Sequence, residues 1–133
     1  MTKKRPNKKD IGDRTVLFKF KRDKKGGHNH AIIDDIDDYH VSVGITTERK
    51  KGKNSTNYPL EKSPFNDGAK SYMRRSAEVV KQKRYLSPKY GVMTEKDYNK
   101  AKVYANKAKK KYLEKKEKEQ WSAQRNKYIS RDL

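Results

Sequence analysis

The shortage of apolar side chains is the feature that most restricts how this chain can fold. Only 31% of its 133 residues are hydrophobic, whereas 40% are charged. A chain with this balance can build one small core, so the rest of its length must be solvated or ordered by a partner. We therefore expect a disordered basic arm over residues 1–12, a small domain over residues 13–113, and a charged tail, helical or disordered, over residues 114–133.

The excess of positive charge predicts a polyanionic partner. Lys and Arg number 36 against 17 Asp and Glu, which gives a net charge of +19. Such a charge attracts phosphates, anionic membrane surfaces or acidic proteins. A membrane-surface helix carries Trp, Phe and Leu along one face, whereas Trp121 lies in a polar stretch. The composition therefore favours a nucleic acid, RNA more than DNA, either free or in a ribosome or other ribonucleoprotein, and no membrane.

The sequence also indicates a location. It contains no cysteine, so neither disulfides nor thiolate metal sites are expected. The basic first residues are not followed by the apolar segment of a signal peptide, and no apolar run approaches the roughly 18 residues of a membrane span. These features predict a cytoplasmic protein without cofactors.

The first half of the chain shows the periodicity of β-strands. The apolar side chains of residues 16–20 recur at alternate positions, which predicts a half-buried strand. Residues 31–33 and 39–47 are two further apolar stretches, and the aspartates between them suit a turn. We therefore expect a hairpin joined across residues 34–38.

A further strand and a helix are predicted in the second half. Residues 71–80 favour a strand, followed by a short turn of helix near residues 82–86 that Pro88 and Gly91 should end. Thr94 is the predicted N-cap of a C-terminal helix. Its apolar stripe ends near Leu113 and consists of Tyr98, Ala101, Ala105, Ala108 and Tyr112. These elements predict an α+β fold, a small, partly open antiparallel β-barrel or sheet with a long C-terminal helix and a basic, disordered N-terminal arm.

Two histidines at alternate positions offer general acid–base chemistry. His28 and His30 fall on one face of a predicted strand, and imidazoles can take a proton from an RNA 2′-hydroxyl and give one to the leaving 5′-oxygen. Arg74 could then stabilise the phosphorane charge. The simpler interpretation, which we favour, is that both are surface histidines. A metal site that adds His40 and residues 34–38 is a third interpretation, but no residue that would orient such ligands is evident, so we expect no metal.

Basic residues interleaved with tyrosines predict the nucleic-acid contacts. Lysine and arginine neutralise phosphates, while exposed aromatic rings stack on bases. Tyr58 and Tyr90 are the tyrosines that we expect to be exposed, and the adjacent Arg74 and Arg75 should project from opposite faces of their strand. The predicted contacts are Lys24, Lys25, Lys50, Lys51, Lys53, Tyr58, Arg74, Arg75, Lys81, Lys83, Arg84, Tyr90, Lys107, Lys110 and Lys111.

The order of the predicted elements resembles that of the PemK/MazF-like toxins, a family of small SH3-like barrel endoribonucleases. Residues 28–34 take the place of the family's strand that opens with Arg-Pro, and residues 39–47 resemble its strand that ends in Thr-Ser. Residues 71–86 and 91–108 resemble its later strand, short helix and final helix. The resemblance spans roughly residues 14–113 and rests on order and pattern.

The resemblance implies a metal-independent endoribonuclease. It makes Thr46 or Thr47 a catalytic hydroxyl position and places the family's arginine at His28 or Asn29, a departure that removes the usual cation. The catalytic set that it suggests here is His28, His30, Thr47 and Arg74.

Charge and composition together predict a protein that binds nucleic acid electrostatically, with little sequence specificity and without turnover. An endoribonuclease of the PemK/MazF-like toxin type is one alternative. A phage or mobile-element factor that binds an acidic host protein is another.

Overall fold

One antiparallel sheet and one long helix make up the computed structural model, which describes residues 13–23, 26–47, 57–65 and 68–131. The predicted arm over residues 1–12 lies outside this range. The elements are β1 (Asp13–Asp23), β2 (Gly26–Ile36), β3 (Tyr39–Thr47), β4 (Tyr58–Pro59), β5 (Ser71–Lys81), a 3-10 turn (Gln82–Arg84), β6 (Tyr85–Thr94) and α1 (Glu95–Arg131). The strand order is β4-β5-β3-β2-β1-β6, and the sheet is not closed in the part of the chain that is described. The predicted α+β class, with a partly open sheet and a long C-terminal helix, is confirmed.

The hairpin of β2 and β3 turns more tightly than the sequence predicted. Its turn is only Asp37 and Asp38, and Asp37 adopts a φ of 53°, a conformation that aspartate tolerates better than most side chains. The prediction was wrong for Asp34 and Asp35, which belong to β2 and pair with Val41 and His40. Both carboxylates have basic partners, described below, and these offset the usual aversion of aspartate to strands.

The structure contains a sixth strand where the sequence predicted a break. The predicted short helix is a three-residue 3-10 turn, and β6 then runs through both Pro88 and Gly91. Pro88 is accommodated because β6 is an edge strand and because its pairing with β1 is irregular between Phe18 and Phe20. An edge or a bulge is where a strand tolerates proline, since no ladder hydrogen bond is lost there.

The apolar core lies between one face of the sheet and the first half of α1. Ala101 and Ala105 are fully buried, as their place in the predicted stripe implies. They lie against a cluster that includes Val16, Phe18, Ala31, Val43, Ile45, Met73, Met93 and Tyr104. From Leu113 to Ala123 every side chain of α1 is exposed. No helix in the described part of the chain is both long and apolar enough to cross a membrane.

The acidic hairpin holds α1 against the sheet. The Lys109 ammonium donates to Asp34 Oδ2 at 2.8 Å, and the Lys116 ammonium to Asp37 Oδ2 at 3.3 Å. The hydrogen bond from Lys109, followed by one from the Asp35 backbone N–H, keeps the pKa of Asp34 below its usual value. The aspartates of this hairpin therefore act as internal counterions for a basic helix.

A buried carboxylate fixes the start of the helix. The backbone N–H of Asp97 donates to Thr94 Oγ1 at 3.1 Å, the hydrogen bond expected of the predicted N-cap. Asp97 Oδ2 accepts the Glu61 backbone N–H at 2.8 Å and so ties the segment over residues 57–65 to α1. Burial raises the pKa of the Asp97 carboxyl above its usual value, against the effect of the Glu61 hydrogen bond.

The Asp34 contact predicts a pH-dependent contribution to stability. Because the pKa of Asp34 is lowered on folding, its contribution is present above the unfolded-state pKa and is lost as the pH falls below it. Asp34→Asn should reduce the free energy of unfolding at neutral pH by about 0.5 kcal/mol, since the pair is partly solvated. In urea titrations the difference from wild type should disappear once the pH falls below the lowered pKa of Asp34 in the folded state. Asp38→Asn is the control, because that carboxylate is 69% exposed and lies 3.9 Å from Lys81.

The Asp97 environment predicts the opposite pH dependence. Because its pKa is raised on folding, ionisation of Asp97 opposes folding at neutral pH, and this cost is absent below the ordinary aspartate pKa of about 3.9. Asp97→Asn keeps an oxygen for the Glu61 N–H and should be more stable than wild type at neutral pH, with the two converging as the pH falls below about 4. Asp97→Ala leaves that N–H unpaired and should cost about 1–3 kcal/mol. An Asn variant that is less stable at every pH would contradict this account.

Candidate functional site

A basic groove runs between β5 and α1. Lys107, Lys110 and Lys111 lie on one side of the helix, as residues three and four apart do, and Arg75 faces them from β5. The groove has a volume of about 540 Å³, and the small side chains Ser76, Ala77 and Ala108 contribute to its lining together with Tyr104 and Glu114. We call it the β5–α1 groove. Four of the predicted nucleic-acid contacts meet in it, with a single carboxylate.

Arg74 and Arg75 project from different faces of the sheet. Arg75 lines the β5–α1 groove on the helix side. Arg74 instead crosses over Gly44. A Cβ atom added at position 44 would lie 3.3 Å from Cδ of Arg74 and 3.3 Å from Cε1 of His30. Glycine at position 44 therefore leaves space for both the Arg74 and the His30 side chains.

The face of the sheet opposite α1 is polar and concave. Three side-chain contacts on it join strands that are not neighbours in the sheet, so the sheet must curl toward this side. They are Lys21 with Glu78 at 3.2 Å, Ser42 with Tyr85 at 2.7 Å, and Lys19 with His40 at 2.9 Å. We call these six residues and His30 the concave polar face. Its most enclosed members are His30, His40, Ser42, Lys21 and Tyr85, whose exposed fractions lie between 0 and 6%.

Both ring nitrogens of His40 have partners. Nδ1 lies 2.5 Å from Asp35 Oδ1, and Nε2 lies 2.9 Å from the Lys19 ammonium. A carboxylate can only accept and an ammonium can only donate. The neutral ring therefore carries its proton on Nδ1 and presents a lone pair at Nε2.

A second set of contacts surrounds Tyr85. Its hydroxyl lies 2.7 Å from Ser42 Oγ, which in turn lies 3.4 Å from Nδ1 of His30. The Tyr85 ring meets His40 and His30 edge-on, with centroid separations of 5.1 and 6.0 Å. The two histidines thus flank one tyrosine inside the curl of the sheet.

The structure separates the predicted catalytic residues. His28, His30 and Arg74 lie toward the concave polar face, with His30 and Arg74 adjacent at Gly44. Thr47 falls on the helix side, because side chains alternate along β3 and Val43 and Ile45 of that side are in the core.

Sequence reasoning did not predict a role for Lys19, Ser42 or Tyr85, and it considered His40 only as a metal ligand. The available signal was that His40 and Ser42 alternate with apolar residues along β3. Alternation alone does not show that both faces of a strand are buried.

The other predicted nucleic-acid contacts differ in their exposure. Tyr90 is 72% exposed, and Lys81, Lys83 and Arg84 are exposed around the 3-10 turn. Tyr58 was wrongly predicted to be exposed, since it packs against the core and burial raises the pKa of its hydroxyl. Five predicted lysines lie outside the described residues: Lys24, Lys25, Lys50, Lys51 and Lys53.

The residues of the hypothetical metal site are dispersed. Asp34 and Asp37 bind lysines of α1, whereas Asp35 binds His40 on the concave polar face. Within the described ranges, no three His, Asp or Glu side chains are placed to share a metal ion.

Comparison of the chain with models of protein families, with curated proteins and with solved structures finds no match. The resemblance to the PemK/MazF-like toxins therefore stays a prediction from the order of elements. Function has to be inferred from the two surfaces themselves.

Proposed function

We propose that this chain is a cytoplasmic protein that binds nucleic acid electrostatically and with little sequence specificity. Its main ligand is RNA, either free or in a ribonucleoprotein such as the ribosome. The observation that carries the proposal is the β5–α1 groove, where Arg75, Lys107, Lys110 and Lys111 converge with one carboxylate, Glu114. Cations on a shared surface neutralise successive phosphates and release their counterions, which supplies most of the affinity of a nonspecific complex.

The shape of the groove suits a sugar–phosphate backbone. Ser76, Ala77 and Ala108 keep its lining low, so a phosphate can approach the strand and the helix closely. Arginine can contact phosphate oxygens through two N–H groups at once, while lysines act as mobile point charges. Contacts of this kind position a backbone and read no bases.

The acidic hairpin does not neutralise the groove. Asp34 and Asp37 are engaged by Lys109 and Lys116, on a different side of α1 from Lys107 and Lys111. A chain with a net charge of +19 thus uses part of its negative charge to dock its helix. The lysines of the groove remain available for an external anion.

Endoribonuclease activity is a second candidate. The observation that favours it is that His30 and Arg74 both lie close to Gly44 on the concave polar face. Thr47 does not belong to this arrangement, so the catalytic set that the toxin resemblance implies is not assembled.

The groove predicts a salt dependence that can be assigned to particular residues. Replacing Arg75, Lys107 and Lys111 together with Gln should weaken binding to a single-stranded RNA by roughly tenfold or more and reduce the slope of log affinity against log salt by about 2. Fluorescence anisotropy of a labelled RNA, repeated over a range of salt concentrations, measures both quantities.

The matched control removes the same charge elsewhere. Lys70, Lys89 and Lys96 are exposed and do not line the groove, so their replacement with Gln should change the affinity and the slope less. Equal losses in the two triple variants would show that the groove is not the binding site. Tighter binding of polyglutamate than of RNA would indicate an acidic protein as the partner instead.

A further inference from the structure

We propose that the outer edge of β5 binds an extended acidic segment of a partner protein, which adds to the sheet as a further strand beside residues 75–81. The inference goes beyond the proposed function, because it concerns a protein partner and a backbone edge. It rests on the proposed function in one respect only. The added strand enters the β5–α1 groove, so it excludes RNA from that groove.

The first observation is that most of β5 is paired on one side only. Along its inner side β5 pairs with β3 from Ser71 to Lys81. On its outer side it pairs with β4 at Tyr72 and Met73 alone. Among the described residues, no strand pairs with the outer edge beyond Met73. An edge of this kind presents backbone N–H and C=O groups with which another extended chain can pair.

The second observation is that open space follows this edge. A cavity of about 370 Å³ beside the 3-10 turn is lined by Tyr39, Val79, Val80, Lys81, Lys83 and Arg84. Successive side chains of a strand point to opposite faces, so a cavity that touches both Val79 and Val80 lies at the edge of the sheet. The β5–α1 groove continues this space to Arg75. From Arg75 to Lys81 the edge is about 20 Å long, the length of roughly seven residues of an added strand.

Basic side chains at both ends of the edge select the charge of the partner. One end carries Lys81, Lys83 and Arg84, and the other carries Arg75, Lys107 and Lys111. Within the described residues, Glu114 is the only carboxylate that lines either cavity. A second copy of this chain would bring the same positive charge to the edge, and like charges across an interface are unfavourable. The complementary segment therefore carries Asp or Glu at both of its ends.

The middle of the edge selects uncharged side chains. Ala77 packs against the core, so alternation places Val79 on the helix side and Val80 on the opposite face. Glu78, the charged residue of this stretch, is paired with Lys21 at 3.2 Å. Residues that face each other on neighbouring strands contact each other, and β-branched side chains suit such positions. We therefore expect a segment with valine or threonine in its middle and carboxylates at its ends.

The test uses the full chain and a labelled, capped peptide of the sequence Glu-Glu-Val-Thr-Val-Glu-Glu, whose affinity is measured by fluorescence anisotropy. Two further peptides carry backbone N-methyl groups, one at its second, fourth and sixth residues and the other at its third and fifth. Alternate N–H groups of an edge strand point to the same neighbour. One methylated peptide should therefore lose affinity by roughly tenfold or more, and the other should bind within about twofold of the unmodified peptide.

Two measurements on the protein locate the bound peptide. Backbone amides at alternate positions of residues 75–81 should exchange with solvent more slowly when the peptide is bound, because they become hydrogen-bonded. Replacing Lys83 and Arg84 together with Gln should weaken peptide binding by roughly threefold or more. Replacing Lys89 and Lys96 with Gln is the matched control, since both are exposed and line neither cavity, and it should have a smaller effect.

Several results would overturn the inference. Equal binding of the two methylated peptides would show that charge alone holds the segment, and equal losses in the two double variants would place it elsewhere on the surface. The unlabelled peptide should displace labelled RNA, so a ternary complex would contradict the mutual exclusion. Absence of peptide binding would reject the added strand and leave RNA binding in the groove unaffected. Peptide binding by a chain that does not bind RNA would reject the proposed function alone.

Discussion

Ala101 and Ala105 bring the backbone of α1 against the sheet, and this contact closes the apolar core of the described domain. Larger side chains at these two positions would hold the helix away from β3 and β5 and leave Phe18 and Met73 uncovered. The contact is reinforced at its far end, where Lys109 and Lys116 meet Asp34 and Asp37. A small apolar stripe, these two ion pairs and the hydrogen bond to Asp97 at its first turn thus hold a helix of 37 residues.

With the apolar residues collected on the helix side, the other side of the sheet is stabilised by different means. There the chain relies on hydrogen bonds and ion pairs, among them Ser42 with Tyr85 and Lys21 with Glu78. Such contacts are directional, so they hold only when the strands curl by a particular amount. The curvature that encloses His30 and His40 and the polar contacts that stabilise it therefore depend on each other. The two surfaces of the molecule follow from this division, a basic groove beside the helix and an enclosed set of histidines opposite.

Much of the fold could be predicted because its signals are local. The alternation in β1, the Thr94 cap and the alanine stripe each lie within a few residues of the element that they specify. Predictions failed where a distant partner decides the outcome. The prediction of a break at Pro88 failed because the tolerance of a strand for proline depends on the edge position of β6. The prediction of an exposed Tyr58 failed because its packing against the core is a long-range contact.

The candidate site was the least predictable part for the same reason. Ser42 and Tyr85 are 43 positions apart in the chain, and Lys19 and His40 are 21 apart. No pattern within one strand shows that these side chains meet, since the contacts exist only after β1, β3 and β6 curl together. The cations of the groove were easier to group from the sequence, because three of the four lie within one turn and a half of a helix.

The length of α1 carries the charges of the helix well beyond the folded domain. At about 1.5 Å per residue the helix is roughly 55 Å long, and the part beyond Tyr112 extends about 28 Å from the last packed turn. At physiological ionic strength, mobile ions screen a charge over only about 8 Å. The field around the end of the helix is therefore independent of the domain, and a polyanion that approaches from that side meets the helix before it meets the groove.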